Sequence, residues 1–264
     1  MVLTRPAERQ VALAQRLQDL GCDVLELPAL EIKPIDPGWC KPESLPACAD
    51  VVVFVSRAAL KHYLAAILVK YPGFAWPSHT VVAAVGQSTA HYARQVLGKH
   101  TRVICPEVAA AQDSESLWPE LEPLVGNGVR VLVVRGEHGR EFLVRRLQEQ
   151  GSSVQVLSVY RREPTVWSDQ ARSKLSAWVA DGRGAGVWLV TSLEGLDAIE
   201  KQISAHGPQD MAALGVVVVH DRLIGPVRQW LMSHSDLGDQ VPISVCSPDE
   251  ESLLQGLLCL VSTL

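Results

Sequence analysis

Residues 129–140 read Val129-Arg130-Val131-Leu132-Val133-Val134-Arg135-Gly136-Glu137-His138-Gly139-Arg140. A nearly unbroken valine and leucine run does not alternate, so it suits a strand buried on both faces, as in a parallel sheet covered by helices on each side. Beyond it the apolar period changes. Phe142, Leu143 and Leu147 fall on one helical face, Gly151 marks the stop, and a second apolar run spans 154–159. Strand, helix and strand make one βαβ unit. Further valine-rich runs occupy 51–55, 81–85 and 216–219, with a helical stretch before Gly21 whose stripe is Val11, Leu13, Leu17 and Leu20. Gly21 and Gly98 are further stops, and Asp113 or Ser114 is the candidate cap of a helix through Leu117 and Leu121. Such alternation predicts an α/β chain with mostly parallel sheets, and there are enough strands for two.

The same βαβ unit occurs near the start. At an offset of about 130, Arg5 meets Arg135, Arg16-Leu17-Gln18 meets Arg146-Leu147-Gln148, and Gly21 meets Gly151. At a slightly larger offset Val55-Ser56 meets Thr191-Ser192, and residues 81–86 meet 216–221. Any two βαβ units share a rhythm, but these coincidences in one register point to duplication. The proline-bearing stretches Lys33-Pro34-Ile35-Asp36-Pro37 and Arg162-Glu163-Pro164 follow the second strand of each copy, so the breaks fall inside the halves. A chain that leaves one sheet, builds the other and returns would place them there.

Composition narrows the function. The 264 residues are 47% hydrophobic and 20% charged, a globular balance. The net charge of -5 argues against a general nucleic-acid binder. No apolar run reaches the ~18–20 residues of a membrane span, and Arg5-Pro6 interrupts any signal-like start. The six cysteines show no Cys-x-x-Cys and the eight histidines no i,i+4 pair. That pattern predicts reduced thiols in a cytoplasmic protein and no metal site.

Open parallel sheets bind ligands beyond the carboxyl ends of their strands. Six such ends read Thr4-Arg5-Pro6, Ser56-Arg57, Gly86-Gln87-Ser88-Thr89, Arg135-Gly136-Glu137-His138-Gly139-Arg140, Thr191-Ser192 and His220-Asp221-Arg222. Hydroxyls, bare amides and guanidinium groups dominate, as an anionic ligand requires. Taken singly, each serine or threonine is explained as a helix cap and each arginine as a snorkelling surface residue. Taken together, they predict an anion site. Gly136 and Gly139 do not complete a dinucleotide fingerprint, and neither a phosphate loop nor a nucleophile elbow is present, which disfavours a flavin or nucleotide protein. Tyr160 closes the run 154–159. Its phenol is either a metal-free proton donor or an ordinary half-buried ring with a wet hydroxyl.

These segments resemble the uroporphyrinogen-III synthase family: Leu3-Thr4-Arg5-Pro6, Phe54-Val55-Ser56-Arg57-Ala58-Ala59, Val85-Gly86-Gln87-Ser88-Thr89-Ala90, Val134-Arg135-Gly136-Glu137-His138-Gly139-Arg140-Glu141, Val159-Tyr160-Arg161-Arg162 and Val190-Thr191-Ser192. The resemblance implies two doubly wound, flavodoxin- or Rossmann-like domains. One would be discontinuous, formed by 1–34 and 165–264, and the other inserted, 40–160, with linker strands at 35–39 and 161–164. It implies a cyclising lyase that converts linear hydroxymethylbilane to uroporphyrinogen III. The terminal hydroxyl leaves as water and the last pyrrole ring is inverted, with no cofactor and no metal. It places the functional tyrosine at Tyr160 and substrate-facing hydroxyls at Ser56, Thr89 and Ser192. With the arginines and glycines of the strand ends, the expected binding set is Arg5, Ser56, Arg57, Gly86, Thr89, Arg135, Gly136, Gly139, Arg140, Ser192 and Arg222. A cytoplasmic monomer, in transient contact with the preceding enzyme of the pathway and with neither nucleic acid nor membrane, is the expected setting. His220 departs from the serine common at that position in bacterial relatives. The alternative is a two-domain sensor of an anionic small molecule that binds without catalysis.

Overall fold

Valine-rich runs bounded by glycine and proline condense into two sheets, each with helices on both faces. The computed structural model describes residues 1–107, 113–180, 186–206, 213–234 and 238–263. Among them the elements are, in order, β1 (Val2–Leu3), α1 (Ala7–Asp19), β2 (Leu25–Glu26), β3 (Leu30–Pro34), β4 (Val51–Phe54), α2 (Arg57–Lys70), β5 (Val81–Ala84), α3 (Gln87–Val96), β6 (Val103–Ile104), α4 (Ser114–Leu121), β7 (Arg130–Gly136), α5 (Phe142–Glu149), β8 (Ser153–Pro164), α6 (Asp169–Ala180), β9 (Val187–Val190), α7 (Leu193–His206), β10 (Gly215–Val218), α8 (Ile224–His234), β11 (Ile243–Val245) and α9 (Glu250–Ser262).

The chain divides into two compact units, Met1–Glu31 with Glu163–Leu264, and Ile32–Arg162. The first holds a sheet in the order β2-β1-β9-β10-β11, all parallel. The second holds β8-β7-β4-β5-β6, also parallel, with β3 added beside β8. Both therefore follow one doubly wound order, 2-1-3-4-5 when numbered within the first unit. The second unit enters that order at a different point, beginning with β4 where the first begins with β1.

The duplicated βαβ unit is visible atom by atom at its helix ends. Cys22 N donates to Leu17 O at 3.0 Å and Ser152 N to Leu147 O at 3.1 Å. Gly21 N donates to Gln18 O, and Gly151 N to Gln148 O, both at 2.9 Å. Gly21 and Gly151 have φ of 80° and 84°, a left-handed turn that glycine adopts without a Cβ penalty. The α1 stripe differs from the expected one. Gln10, Leu13, Ala14 and Leu17 are buried, whereas Val11 and Leu20 are exposed. A polar side chain thus occupies one end of the inward face, and counting apolar letters alone shifts that face by a residue.

The linker strands also sit elsewhere. Ile35 N donates to Val159 O and Thr165 N to Ala29 O, so numbers fall along one strand as they rise along the other and the pairing is antiparallel. The first strand of this pair is β3 (Leu30–Pro34) rather than 35–39. Pro37–Trp39 forms a 3-10 turn whose cap, Asp36, accepts a hydrogen bond from Gly38 N at 2.8 Å. Asp followed by proline at the first helical position ends the strand there. Residues 161–164 are the end of the continuous strand β8.

Each sheet is packed on both faces. In the first unit Trp188, Ile199 and Trp230 fill one side, and Leu3, Leu13, Leu17 and Leu257 the other. In the second, Phe54, Leu60, Tyr63 and Ile67 fill the α2 side, and Val53, Leu117, Leu121 and Leu147 the α4–α5 side. Each such burial contributes about 1.5–3 kcal/mol, which makes the strand ends rigid platforms. Among the described residues no helix is long and apolar enough to cross a membrane.

Candidate functional site

Parallel register decides where the strand-end residues go. Phe54 lies beside both Ala84 and Val134, so Ser56, Gly86 and Gly136 emerge at one edge of the second unit's sheet. In the first unit Leu3 lies beside Leu189 and Val190 beside Val218, which brings Arg5, Ser192 and His220 to one edge of that sheet.

Tyr160 is placed by an irregularity in the β7–β8 ladder. Residues pair one to one from Arg130 with Ser153 to Arg135 with Ser158, and then Gly136 faces Tyr160. Val159 is therefore an extra residue, a bulge. Strict alternation would send Tyr160 to the face opposite Leu157. The bulge instead puts Leu157, Val159 and Tyr160 all into the core on the α2 side. The ring is 3% exposed. It lies across Gly136, where a Cβ would come within 2.8 Å of Cε2 and Cζ and 3.1 Å of the hydroxyl oxygen. Only glycine fits there. Tyr160 Oη is 3.2 Å from Ser56 Oγ. Ser56 is the cap of α2 and accepts a hydrogen bond from Ala59 N at 3.1 Å. The His62 ring stands 6.0 Å from the Tyr160 ring, centre to centre.

The cations are held in different ways. Arg57 lies over the Tyr92 ring at 4.7 Å. Arg135 pairs with Glu141 at 2.7 Å, while its Nε is buried with no partner. Gly139 packs beside it, with room for a Cβ at 3.6 Å from Arg135 Cδ. Arg140 pairs with Glu115 at 3.1 Å. In the first unit burial draws the Arg5 guanidinium below its ordinary pKa, repulsion from Arg9 adds to this, and Glu250 opposes it. A semi-buried cation of this kind is favourable ground for an anion.

The hydroxyls divide too. Ser192 accepts a hydrogen bond from Gly195 N at 3.0 Å, capping α7 as Ser56 caps α2. Thr89 is buried with Ala90 and Ala93 on the inner face of α3, not displayed at the strand end as expected. The neighbouring Ser88 is exposed instead, because helix phase turns the two residues to different sides. Gly86 caps α3 without a side-chain bond. His220 Nδ1 accepts a hydrogen bond from Arg222 N at 3.1 Å, so the imidazole caps the turn that follows β10. Arg222 is exposed on that turn. The acidic partners Glu115 and Glu141 were not legible from motif or spacing. Among the described residues no group of three or more His, Cys, Asp or Glu side chains is arranged to hold a metal ion.

Chemically, the second unit offers a phenol fixed beside a helix-capping hydroxyl, at an edge also carrying guanidinium groups. A family description of Uroporphyrinogen-III synthase HemD matches residues 11–234. The chain belongs to the uroporphyrinogen-III synthase family. Among the relatives of this uroporphyrinogen-III synthase family member, the Escherichia coli (strain K12) uroporphyrinogen-III synthase is 25% identical over 169 residues, 61% of this chain and 64% of that one. The Chlorobaculum parvum enzyme of the same name is 27% identical over 175 residues, 66% and 68% of the two chains. The chain thus spans slightly under two thirds of the Escherichia coli relative. Two solved structures share the fold of this uroporphyrinogen-III synthase family member. A mutant uroporphyrinogen III synthase from the extremely thermophilic bacterium Thermus thermophilus matches with a TM-score of 0.57 at 15% identity, covering 100% of this chain and 99% of that one. The Helicobacter pylori 26695 uroporphyrinogen-III synthetase matches with a TM-score of 0.54 at 16% identity, covering 89% and 92%.

Proposed function

We propose that the chain is a cyclising lyase that converts hydroxymethylbilane to uroporphyrinogen III, with loss of water and inversion of the terminal pyrrole ring. The observation that carries this is Tyr160: the family match frames the reaction, and the bulge, Gly136 and Ser56 hold one phenol at the strand-end edge. Loss of hydroxide needs a proton, and a phenol supplies one without a metal. Eight substrate carboxylates need many donors. Arg5, Arg57, Arg135, Arg140 and Arg222, the hydroxyl of Ser192, and the backbone beside Gly86, Gly136 and Gly139 are the proposed set; Thr89 supports them from inside α3, and Ser56 stands beside Tyr160. With a net charge of -5 the protein repels a polyanion at long range, so attraction is local to these groups.

In this reading a discontinuous domain carries an inserted one, and the enzyme is a cytoplasmic monomer that uses no cofactor. It takes its labile substrate from the preceding enzyme and has no business with nucleic acid or membrane. Hydroxymethylbilane closes unaided to the symmetric type I ring. Incubating the purified protein with it and separating the oxidised isomers is the test. Type III product at catalytic protein concentration supports the proposal. Type I alone would overturn it and leave a binding protein for an anionic small molecule.

A further inference from the structure

We propose that Ser56 serves the reaction through Tyr160, as a positioning residue that orients the phenol and steadies the phenolate, rather than by holding a substrate carboxylate. This role rests on the lyase activity proposed for the chain.

A serine hydroxyl offers one donor and two acceptor sites. Ser56 Oγ spends one acceptor site on Ala59 N–H, at 3.1 Å. That bond fixes the rotamer, because it is also the cap of α2. The neighbouring oxygen is Tyr160 Oη at 3.2 Å. Tyr160 cannot swing away: its ring is buried and Gly136 backs it at distances no Cβ would tolerate. Two directions are open for the bond between the hydroxyls. If Tyr160 donates to Ser56, its proton is turned away from any ligand. If Ser56 donates to Tyr160, the phenol proton is released toward the ligand. Accepting from Ala59 N–H polarises the serine O–H and makes it the better donor. The first turn of the 14-residue helix α2 also favours negative charge beside it.

The step balances. As the C–O bond of the hydroxymethyl group breaks, its electron pair leaves with oxygen. Tyr160 gives its proton to that oxygen, forming water, and becomes a phenolate held by the Ser56 O–H and the α2 N-terminus. The substituted carbon of the terminal pyrrole bonds to the freed methylene, its old bond to the neighbouring methylene breaks, and the unsubstituted carbon of the same ring then bonds to that methylene and loses its proton, which restores Tyr160. The net products are one macrocycle and one water.

The test compares Ser56→Gly, Ser56→Thr and Ser56→Gly in a Tyr160→Phe background, by steady-state formation of the type III isomer. Glycine is a tolerated helix cap, so Ser56→Gly removes the hydroxyl while keeping α2, which thermal melting verifies. The expected result is a kcat loss of about 10–100-fold with KM little changed, the scale of a hydrogen bond to a charged group. Ser56→Thr, which keeps the hydroxyl, is expected to restore most of kcat, and Ser56→Gly to add almost nothing once Tyr160 is phenylalanine. A raised KM with kcat intact would show a substrate contact and overturn the proposal, as would a full additional loss in the Tyr160→Phe background. Wild-type protein that yields only type I ring would bring down the activity itself and this role with it. Active wild type with fully active Ser56→Gly brings down this role alone.

Discussion

Gly136→Ala is the sharpest probe of the site. A methyl at Gly136 would sit 2.8 Å from Cε2 and Cζ of Tyr160 and 3.1 Å from its hydroxyl oxygen. Comfortable carbon contacts are about 3.5–4.0 Å, so the ring must retreat by roughly 0.7–1.2 Å. It is 3% exposed and belongs to the buried cluster that also holds Phe54, Leu60 and Leu157, so the shift strains the core on the α2 side. Overpacking of this type costs about 1–3 kcal/mol, and replacing glycine returns about 0.4–1 kcal/mol through the unfolded chain. The expected net loss is at most about 2.6 kcal/mol. Moved by the same amount, Tyr160 Oη leaves the 3.2 Å contact with Ser56 and passes the range of a useful hydrogen bond. A misplacement near 1 Å in a catalytic group can lower turnover by about 10²-fold. Activity is thus expected to fall far more than stability. Initial rates of type III formation read the first quantity and urea unfolding the second. A variant that matches wild type in both would mean that the ring does not rest on Gly136, and the account of how the bulge aims Tyr160 would be refuted.

Three further outcomes are expected. Tyr160→Phe should lower type III turnover by about 10²-fold or more at nearly unchanged stability, since it deletes one hydroxyl and little packing; full activity would reduce Tyr160 to a core residue. Among the arginines, Arg5→Ala and Arg57→Ala should each weaken substrate binding by about 1–2 kcal/mol in a salt-sensitive manner. Arg140→Ala should cost less, because Glu115 already engages its guanidinium; KM measured across a salt series orders them, and an Arg140 effect exceeding that of Arg5 would contradict this ranking. Finally, Arg130, which donates to the Asp50 carboxylate, holds that group below its ordinary pKa. A lowered folded-state pKa gives stability that is complete above the unfolded value near ~3.9 and is lost as pH falls through the lower folded value. Asp50→Asn should therefore flatten the acid limb of the unfolding midpoint below about pH 4; an unchanged limb would exclude the pair as its source.

The parallel strands and the duplication were legible because burial on both faces writes itself as unbroken apolar runs, as at 51–55 and 129–134. The edges were not. β2 and β6 are two residues long, and Val103 and Ile104 are only partly buried, so nothing in Leu25-Glu26 or Val103-Ile104 stands out. The α1 face was misplaced by one position because buried Gln10 carries no apolar signal. Which residues leave the strand ends was legible, since parallel pairing projects those of each sheet to one edge of that sheet. What the letters could not carry was pairing. The bulge that turns Tyr160 belongs to two strands at once, and the Arg140–Glu115 contact joins residues 25 positions apart. Gly136 was marked as a backbone donor, yet it proves to be the space that a phenol ring fills.

The order of strands also sets a schedule for synthesis. In the first sheet β1 lies between β2 and β9, and β9 begins only at Val187. The second unit, Ile32–Arg162, is complete before that strand exists. At about 5–20 residues per second, the chain from residue 32 to residue 186 takes roughly 8–31 s to make. Throughout that interval β1 lacks its neighbour β9, and Leu13 and Leu17 of α1 lack the Val187, Leu189 and Leu257 side chains of their cluster. The middle of the polypeptide is therefore expected to fold first on the ribosome, while its beginning waits, open to chaperones and proteases, for a neighbour still to be translated.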